Sequence, residues 1–209
     1  MIRFDRAGYP FFAVSLVLAV LAWEWVSNWL ALVFLVFFAF FVFFFRDPDR
    51  TPATRANAVV SPADGRVLVA GPAVAGAAPE GQWQQVSIFL SPMDVHVNRV
   101  PVAGRVTRVS FTPGKFLPAY AHDAATSNER SEIWIDHGGT MVVARQIVGI
   151  LARRVVCRLK VGATVQAGER YGVMKFGSRM DVFLPLSAEI LVQVGATVRA
   201  AETVIAVLH

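Results

Sequence analysis

The chain has 209 residues, 55% of them hydrophobic, and its mean hydropathy of +0.51 is high for a soluble protein. This length fits one domain, or one domain with an appendage, and the single cysteine, Cys157, excludes an internal disulfide. The formal net charge of +5 points to nucleic acid, anionic lipid or an acidic substrate. Nucleic acid is disfavoured because no Lys/Arg run is interleaved with aromatic residues.

An almost entirely apolar stretch covers residues 9–45, and Glu24, Ser27 and Asn28 interrupt it near its centre. Since about 20 apolar residues cross a bilayer core, it provides either one long tilted span or two short helices. We favour two helices, at residues 10–22 and 30–45, because three tryptophans surround the polar centre like an interfacial belt. Arginines flank the stretch on both sides: Arg3, Arg6, Arg46 and Arg50. This pattern predicts an anchor in the cell (inner) membrane with both ends, and the rest of the chain, on the cytoplasmic face.

The character of the sequence changes at residue 47, where a polar linker marked by two prolines begins. Beyond it, short runs rich in Val, Ile and Phe are bounded by Gly, Pro or Asp and predict strands. The main runs are residues 58–60, 66–69, 85–89, 104–111, 131–135, 140–147 and 155–159. No long amphipathic helix is predicted after residue 50. We therefore expect a helical membrane anchor at residues 1–46, followed by a β-dominated domain at residues 47–209.

An internal repeat lies in the last quarter of the chain. Residues 161–169 (VGATVQAGE) recur as residues 194–202 (VGATVRAAE). Each copy is typical of a strand end, a glycine turn and a new strand, so the pair predicts a small barrel or flattened sandwich with lipoyl-like strand repeats. The same turn occurs in lipoyl and biotinyl domains, and it indicates architecture rather than chemistry.

The strongest chemical candidate is Ser178, in the hexapeptide Phe-Gly-Ser-Arg-Met-Asp at residues 176–181. A serine hydroxyl can attack a sterically open glycine carbonyl when a base removes its proton. Asp64 and His96 are the candidate partners, and the three would form an Asp-His-Ser set that cleaves the chain's own bond between Gly177 and Ser178. Each has an ordinary explanation too: Gly-Ser and Asp-Gly are common turn pairs, and a histidine between two valines is often structural.

The longest irregular stretch, residues 112–130, contains Lys115, His122 and Arg130. Long loops in compact domains are often functional lids, although solvated linkers look the same. The chain has no HxH, HExxH or CxxC spacing, so no metal site is predicted. It also has no glycine-rich nucleotide loop.

Taken in order, these motifs resemble those of the phosphatidylserine decarboxylase proenzymes, in their short bacterial and archaeal form. The resemblance covers nearly the whole chain. The segments that carry it are residues 45–48 (FRDP), 61–65 (SPADG), 90–101 (LSPMDVHVNRVP), 113–116 (PGKF), 128–130 (NER) and 176–181 (FGSRMD).

The resemblance implies a pyruvoyl-dependent enzyme that converts phosphatidylserine to phosphatidylethanolamine and CO2. Ser178 would attack the Gly177 carbonyl, and an acyl shift and β-elimination would leave a β chain, residues 1–177, and an α chain, residues 178–209. Ser178 would become a covalent pyruvoyl group, which forms a Schiff base with the substrate amine and accepts electrons as CO2 leaves. His96, oriented by Asp64, would be the base in self-cleavage and the acid in decarboxylation.

One position departs from the family pattern. Many members carry a second histidine three residues after the first, where this chain has Arg99. The expectation is therefore that His96 serves both steps or that His122 assists. Charge matching marks three candidate contacts for the lipid phosphate: Lys115, Arg130 and Arg179. The membrane and a second copy of the chain are further expected partners.

Two other functions stay open from the sequence. Residues 173–176 (Val-Met-Lys-Phe) resemble the Met-Lys-Met turn of biotinyl carriers, with Lys175 between the two repeats. Phe176 departs from that turn, however, and a carrier would leave residues 58–150 unexplained. Alternatively, Ser178 would serve a membrane-bound serine peptidase, which keeps its serine, whereas the decarboxylase loses it.

Overall fold

The computed structural model describes residues 3–121, 123–150, 155–175 and 177–209. His122 and Phe176, both named above, lie outside the described residues. The chain divides into two compact units, the first ending at Asp49 and the second running from Arg50 to His209.

The first unit is a pair of apolar helices, α1 (Tyr9–Trp25) and α2 (Asn28–Phe44), closed by the short strands β1 (Arg3–Phe4) and β2 (Arg46–Asp47). A proline stands in the first turn of α1, where its missing N–H is not needed. The Ser27 hydroxyl accepts a hydrogen bond from the Leu30 N–H (3.3 Å) and caps α2. The two helices expected from the sequence are present, although both begin earlier than predicted and the turn between them is shorter.

The apolar side chains of these helices face outward. Residues Arg6–Trp25 form a helix long and apolar enough to cross a membrane, whereas α2 is apolar but shorter. Trp25 and Trp29 are 78% and 81% exposed. Helices that expose such side chains need a nonpolar surrounding. By length and composition, the first unit could therefore anchor the chain to a membrane.

The second unit is mostly β-structure, as predicted. Its strands are β3 (Ala58–Val60), β4 (Gly65–Pro72), β5 (Gln84–Leu90), β6 (Val97–Arg99), β7 (Gly104–Thr112), β8 (Arg130–His137), β9 (Thr140–Ile147), β10 (Val155–Cys157), β11 (Thr164–Val165), β12 (Arg170–Met174), β13 (Ser178–Leu184), β14 (Glu189–Ile190), β15 (Thr197–Val198) and β16 (Val204–Val207). Among the described residues of this unit, the only α-helix is the short α3 (Ala124–Ser127).

The strands form one large antiparallel sheet and two small ones. The large sheet has eight strands in the order β11-β7-β8-β9-β13-β5-β4-β15, and the small sheets have the orders β10-β12-β6 and β14-β16-β3. Strand β13 lies inside the large sheet between β9 and β5, and all seven of its residues are buried. The strand that begins at Ser178 is thus covered on both faces and paired along both edges.

The alternation of side chains along β13 divides it into two faces. Residues Met180, Val182 and Leu184 belong to the main hydrophobic core. Between them, Arg179 and Asp181 point to the opposite face, where they are also buried. The two charged residues of β13 therefore lie on one face of the strand and are buried there, opposite the hydrophobic core.

The two sequence repeats occupy equivalent places at opposite edges of the large sheet. In the first, β11 pairs with the start of β7 at Gly104, and in the second, β15 pairs with the start of β4 at Gly65. At both starting glycines, an added Cβ would collide with a backbone carbonyl oxygen of the neighbouring strand. The predicted repeat is a structural one, while its likeness to lipoyl domains stays a prediction.

Candidate active site

Ser178 is the first residue of β13 and pairs with Leu90 of β5. Its side chain is fully buried, and its Oγ has no hydrogen-bond partner among the described residues. Gly177, directly before it, has a φ of +52°, a left-handed conformation that favours glycine. An unsatisfied buried hydroxyl costs about 1–3 kcal/mol, which makes this serine a candidate for a chemical role.

The Gly177 carbonyl lies against the backbone of Gly149, two residues beyond the end of β9. A Cβ built on Gly149 would collide with the Gly177 carbonyl oxygen and would lie 3.3 Å from the Ala119 Cβ. Gly149 has no left-handed φ that would itself favour glycine. Glycine is therefore needed here for space, beside the carbonyl that Ser178 is predicted to attack. Nothing in the neighbouring sequence marks Gly149, so it was not among the predicted site residues.

His96 is buried just before β6, and its ring is held by its own loop. The Nδ1 atom lies 2.9 Å from the Asp94 carbonyl oxygen. A carbonyl oxygen only accepts hydrogen bonds, so Nδ1 carries the proton in the neutral ring and Nε2 carries the lone pair. The His96 carbonyl oxygen accepts the Met174 N–H (3.3 Å), four residues before Ser178. His96 is thereby tied to the end of the strand whose connection leads into Ser178.

Asp64 lies directly before β4, and its carboxylate has two strong partners. Oδ2 accepts a hydrogen bond from the Arg50 Nη2 (2.7 Å), and Oδ1 accepts one from the Ala200 N–H (2.7 Å). Arg50 also forms an ion pair with Glu202 (3.1 Å). The carboxylate thus links the start of the second unit to the C-terminal segment of the chain. The role of Asp64 in orienting His96 stays a prediction.

Of the three candidate phosphate contacts, only Lys115 has an exposed side chain. The Arg130 Nη1 donates to the Thr126 carbonyl oxygen (2.9 Å), within the same long loop. The Arg179 Nε donates to Asp181 Oδ1 (2.7 Å), its Nη2 donates to the Ser87 Oγ (2.9 Å), and only 4% of the residue is exposed. The surroundings of Arg179 are those of a structural ion pair.

The long loop at residues 112–130 is fixed beside the site by Asn128. The Asn128 side-chain amide donates to the carbonyl oxygens of Leu117 (2.8 Å) and Val148 (2.8 Å), and its Oδ1 accepts the Leu117 N–H (3.0 Å). Asn128 is fully buried. It therefore ties the loop to the residue before Gly149, a role that the Asn-Glu-Arg motif alone does not reveal.

The connection that contains Lys175 argues against a carrier module. Strand β12 pairs with β10 and β6, whereas β13 pairs with β9 and β5. Lys175 thus lies in a crossover between two sheets, not at the tip of a hairpin where a carrier presents its lysine. Among the described residues, no group of three or more His, Cys, Asp or Glu is placed to hold a metal ion.

Comparison with known proteins points to one family. The family model described as phosphatidylserine decarboxylase matches residues 37–206. A phosphatidylserine decarboxylase proenzyme from Prosthecochloris aestuarii is 48% identical over 163 residues, or 78% of this chain and 75% of that protein. Proenzymes of the same name from Geotalea uraniireducens and Ralstonia nicotianae are 44% and 42% identical, covering 96% and 97% of this chain and 94% of each relative.

The contact between Gly149 and Gly177 predicts that Gly149→Ala slows self-cleavage at least tenfold, roughly the effect expected when a reacting group is displaced. The added methyl group would displace the Gly177 carbonyl from the position it holds in the structure. Gel electrophoresis of samples taken after a pulse of synthesis measures the cleaved fraction. Gly138→Ala is the control for a glycine substitution that costs stability away from the site, because its φ of +59° strains an alanine while an added Cβ meets nothing within 4 Å. Cleavage of Gly149→Ala at the wild-type rate would show that this close approach does not position the carbonyl.

The ion pair between Arg179 and Asp181 predicts a large loss of stability in Arg179→Met. This substitution removes the cation that is hydrogen-bonded to the buried Asp181 carboxylate. Gln85 Nε2 (3.1 Å) and the cross-strand Arg145 remain beside it, so the expected cost in the free energy of unfolding is about 3 kcal/mol, the lower end of the range for a broken buried pair. Lys115→Gln, at an exposed position, should change it by less than about 0.5 kcal/mol. Urea unfolding of both variants in an uncleaved Ser178→Ala background measures the difference. Equal stability would show that the pair has no structural role.

Proposed function

The chain belongs to the phosphatidylserine decarboxylase family, and on that basis we propose how its own residues perform the two reactions of such a proenzyme. It is a self-processing carboxy-lyase of phospholipid biosynthesis that converts phosphatidylserine to phosphatidylethanolamine and CO2. One observation carries the assignment of its centre: the buried Ser178 Oγ, with no hydrogen-bond partner among the described residues, follows directly after the Gly177 carbonyl.

In the first reaction, Ser178 Oγ adds to the Gly177 carbonyl carbon while His96 takes the hydroxyl proton. The peptide C–N bond then breaks, which leaves an ester between Gly177 and Ser178 and an amino group on residue 178. Removal of the Cα proton of residue 178 breaks its Cβ–O bond and releases Gly177 as a carboxylate. Hydrolysis of the resulting dehydroalanine consumes one water, releases ammonia and leaves a pyruvoyl group at the start of the α chain.

The position of His96 supports its role as the base. The Asp94 carbonyl oxygen accepts the Nδ1 proton, so the neutral ring presents a basic Nε2. Burial of the ring keeps competing water away from it. Asp64 is proposed to assist the same step, although the Asp94 carbonyl, and not Asp64, holds the His96 Nδ1. Both oxygens of the Asp64 carboxylate are held in place, one by Arg50 Nη2 and the other by the Ala200 N–H.

The pyruvoyl group fits this position because its atoms come from Ser178 and because the site is buried within the sheet. It supplies an electron sink for the electron pair that remains when CO2 departs. The chain's own residues bind the lipid and move the proton: Lys115 and Arg130 are the proposed phosphate contacts, and His96 is the proposed donor of a proton to the product carbon.

The first unit is proposed to hold the enzyme on the surface that contains its substrate. Confinement of both to one membrane raises their effective concentration without a tighter headgroup contact. The net charge of +5 suits an anionic lipid. Arginines on both sides of the helical pair favour a catalytic unit on the cytoplasmic face of the cell membrane.

The experiment is a decarboxylation assay on membranes that contain the full chain, with phosphatidylserine labelled in its carboxyl group. We expect the wild type to release labelled CO2 and to form unlabelled phosphatidylethanolamine. Ser178→Ala should form neither product. Loss of acid–base catalysis in His96→Gln should lower the rate by about 10²-fold or more. Ser187→Ala, at an exposed position of the same segment, is the matched control and should keep wild-type activity. Activity in Ser178→Ala would overturn the proposal.

A further inference from the structure

A cavity of about 370 Å³ opens beside Gly177 in the second unit. The long loop contributes Pro118 and Tyr120, the end of β5 contributes Phe89, and the chain after β9 contributes Ile150; Pro92 also lines it. Among the residues that the structure describes, no charged side chain lines the cavity. Neither the mechanism nor the candidate phosphate contacts use it.

The chemistry of the lining excludes the polar part of the substrate. The serine headgroup carries an ammonium and a carboxylate, and the lipid adds a phosphate; each needs a charged or hydrogen-bonding partner when it leaves water. Hydrocarbon, in contrast, gains free energy in such surroundings. The cavity volume lies within the range of small-molecule sites, about 300–1,000 Å³.

The rim of the cavity exposes large apolar groups to the surroundings. Tyr120 is 66% exposed, Ile150 is 56% exposed, and Met93, next to Pro92, is 61% exposed. Contiguous exposed apolar surface on a folded domain marks a place where an apolar partner binds. The Tyr120 ring is nevertheless held in place, edge-on to the Phe89 ring at 5.8 Å between centroids.

The position of the cavity identifies the occupant. It adjoins Gly177, so it lies next to the residue that becomes the reacting group, and the long loop that forms it also carries the exposed Lys115. A lipid whose headgroup amine reaches residue 178 has to direct its hydrocarbon along a surface that adjoins that residue. Among the described residues, the cavities identified elsewhere in the structure do not include Gly177.

We propose that this cavity binds the part of an acyl chain nearest the glycerol of phosphatidylserine, with Tyr120 and Ile150 as the specificity-determining contacts. This inference rests on the proposed function and deepens it. The cavity would then distinguish a lipid from a water-soluble molecule with the same headgroup. The hydrogen bonds of Asn128 to Leu117 and Val148 fix the two walls relative to one another.

The first test compares two substrates on the double variant Tyr120→Ser/Ile150→Ser. We expect kcat/KM for dioleoyl phosphatidylserine in detergent micelles to fall roughly tenfold, as for a lost hydrophobic pocket contact. The value for the deacylated headgroup compound, glycerophosphoserine, should change by less than about twofold by the same reasoning. Leu186→Ser/Val194→Ser removes two comparably exposed apolar side chains outside the cavity and is the matched control. Equal losses on both substrates would overturn the proposal.

The second test needs neither variant and is done on the wild-type full chain. Phosphatidylserine with a photoactivatable diazirine near the glycerol end of an acyl chain is bound and irradiated, and tryptic peptides are analysed by mass spectrometry. Label in residues 116–130 and 146–153 supports the proposal. Label found only within residues 9–45 of self-cleaved protein would show that the acyl-chain assignment is wrong. The self-cleavage of that sample would still support the proposed function.

Discussion

The structure depends on the pairing of β13 along both of its edges. Ser178 is the first residue of this strand, which lies between β9 and β5 and has every residue buried. The bond to be cut therefore lies at the junction between the crossover connection and a central strand. Cleavage there removes one covalent link but none of the ladders that hold residues 178–209. A reaction that divides the chain is thus compatible with an intact sheet, and the new terminus remains fixed in the interior.

The same constraint explains the close packing around the cleavage point. Because the start of β13 cannot shift, the Gly177 carbonyl has a defined position against Gly149, and the long loop is fixed beside it by Asn128. On the far face of the strand, the pair of Arg179 with Asp181 supplies a rigid buried support. Nucleophile, target carbonyl and cavity are thus held by backbone contacts and buried polar groups rather than by mobile side chains.

Sequence patterns predicted the features that local periodicity or motif order encodes. The apolar helices and the β-rich second unit were recognisable in this way. Motif order also singled out Ser178 with its glycine, whose role stays a prediction. The contacts of Gly149 and Asn128 were not, because they join segments far apart in the chain. Arg179 was expected to meet a phosphate, since its charge is visible in the sequence whereas its burial is not. Likewise, no local signal reveals that Asp64 pairs with Arg50 and the backbone of Ala200.

The proposed mechanism requires that the chain cleave itself between Gly177 and Ser178 while its strands stay paired. Mass spectrometry of the purified protein under denaturing and native conditions tests both parts of this requirement. We expect two denatured fragments, residues 1–177 and an α chain that begins with a pyruvoyl group, and a single complex of both under native conditions. One uncut chain of 22.8 kDa in an active preparation, or an α chain that still begins with serine, would contradict the mechanism.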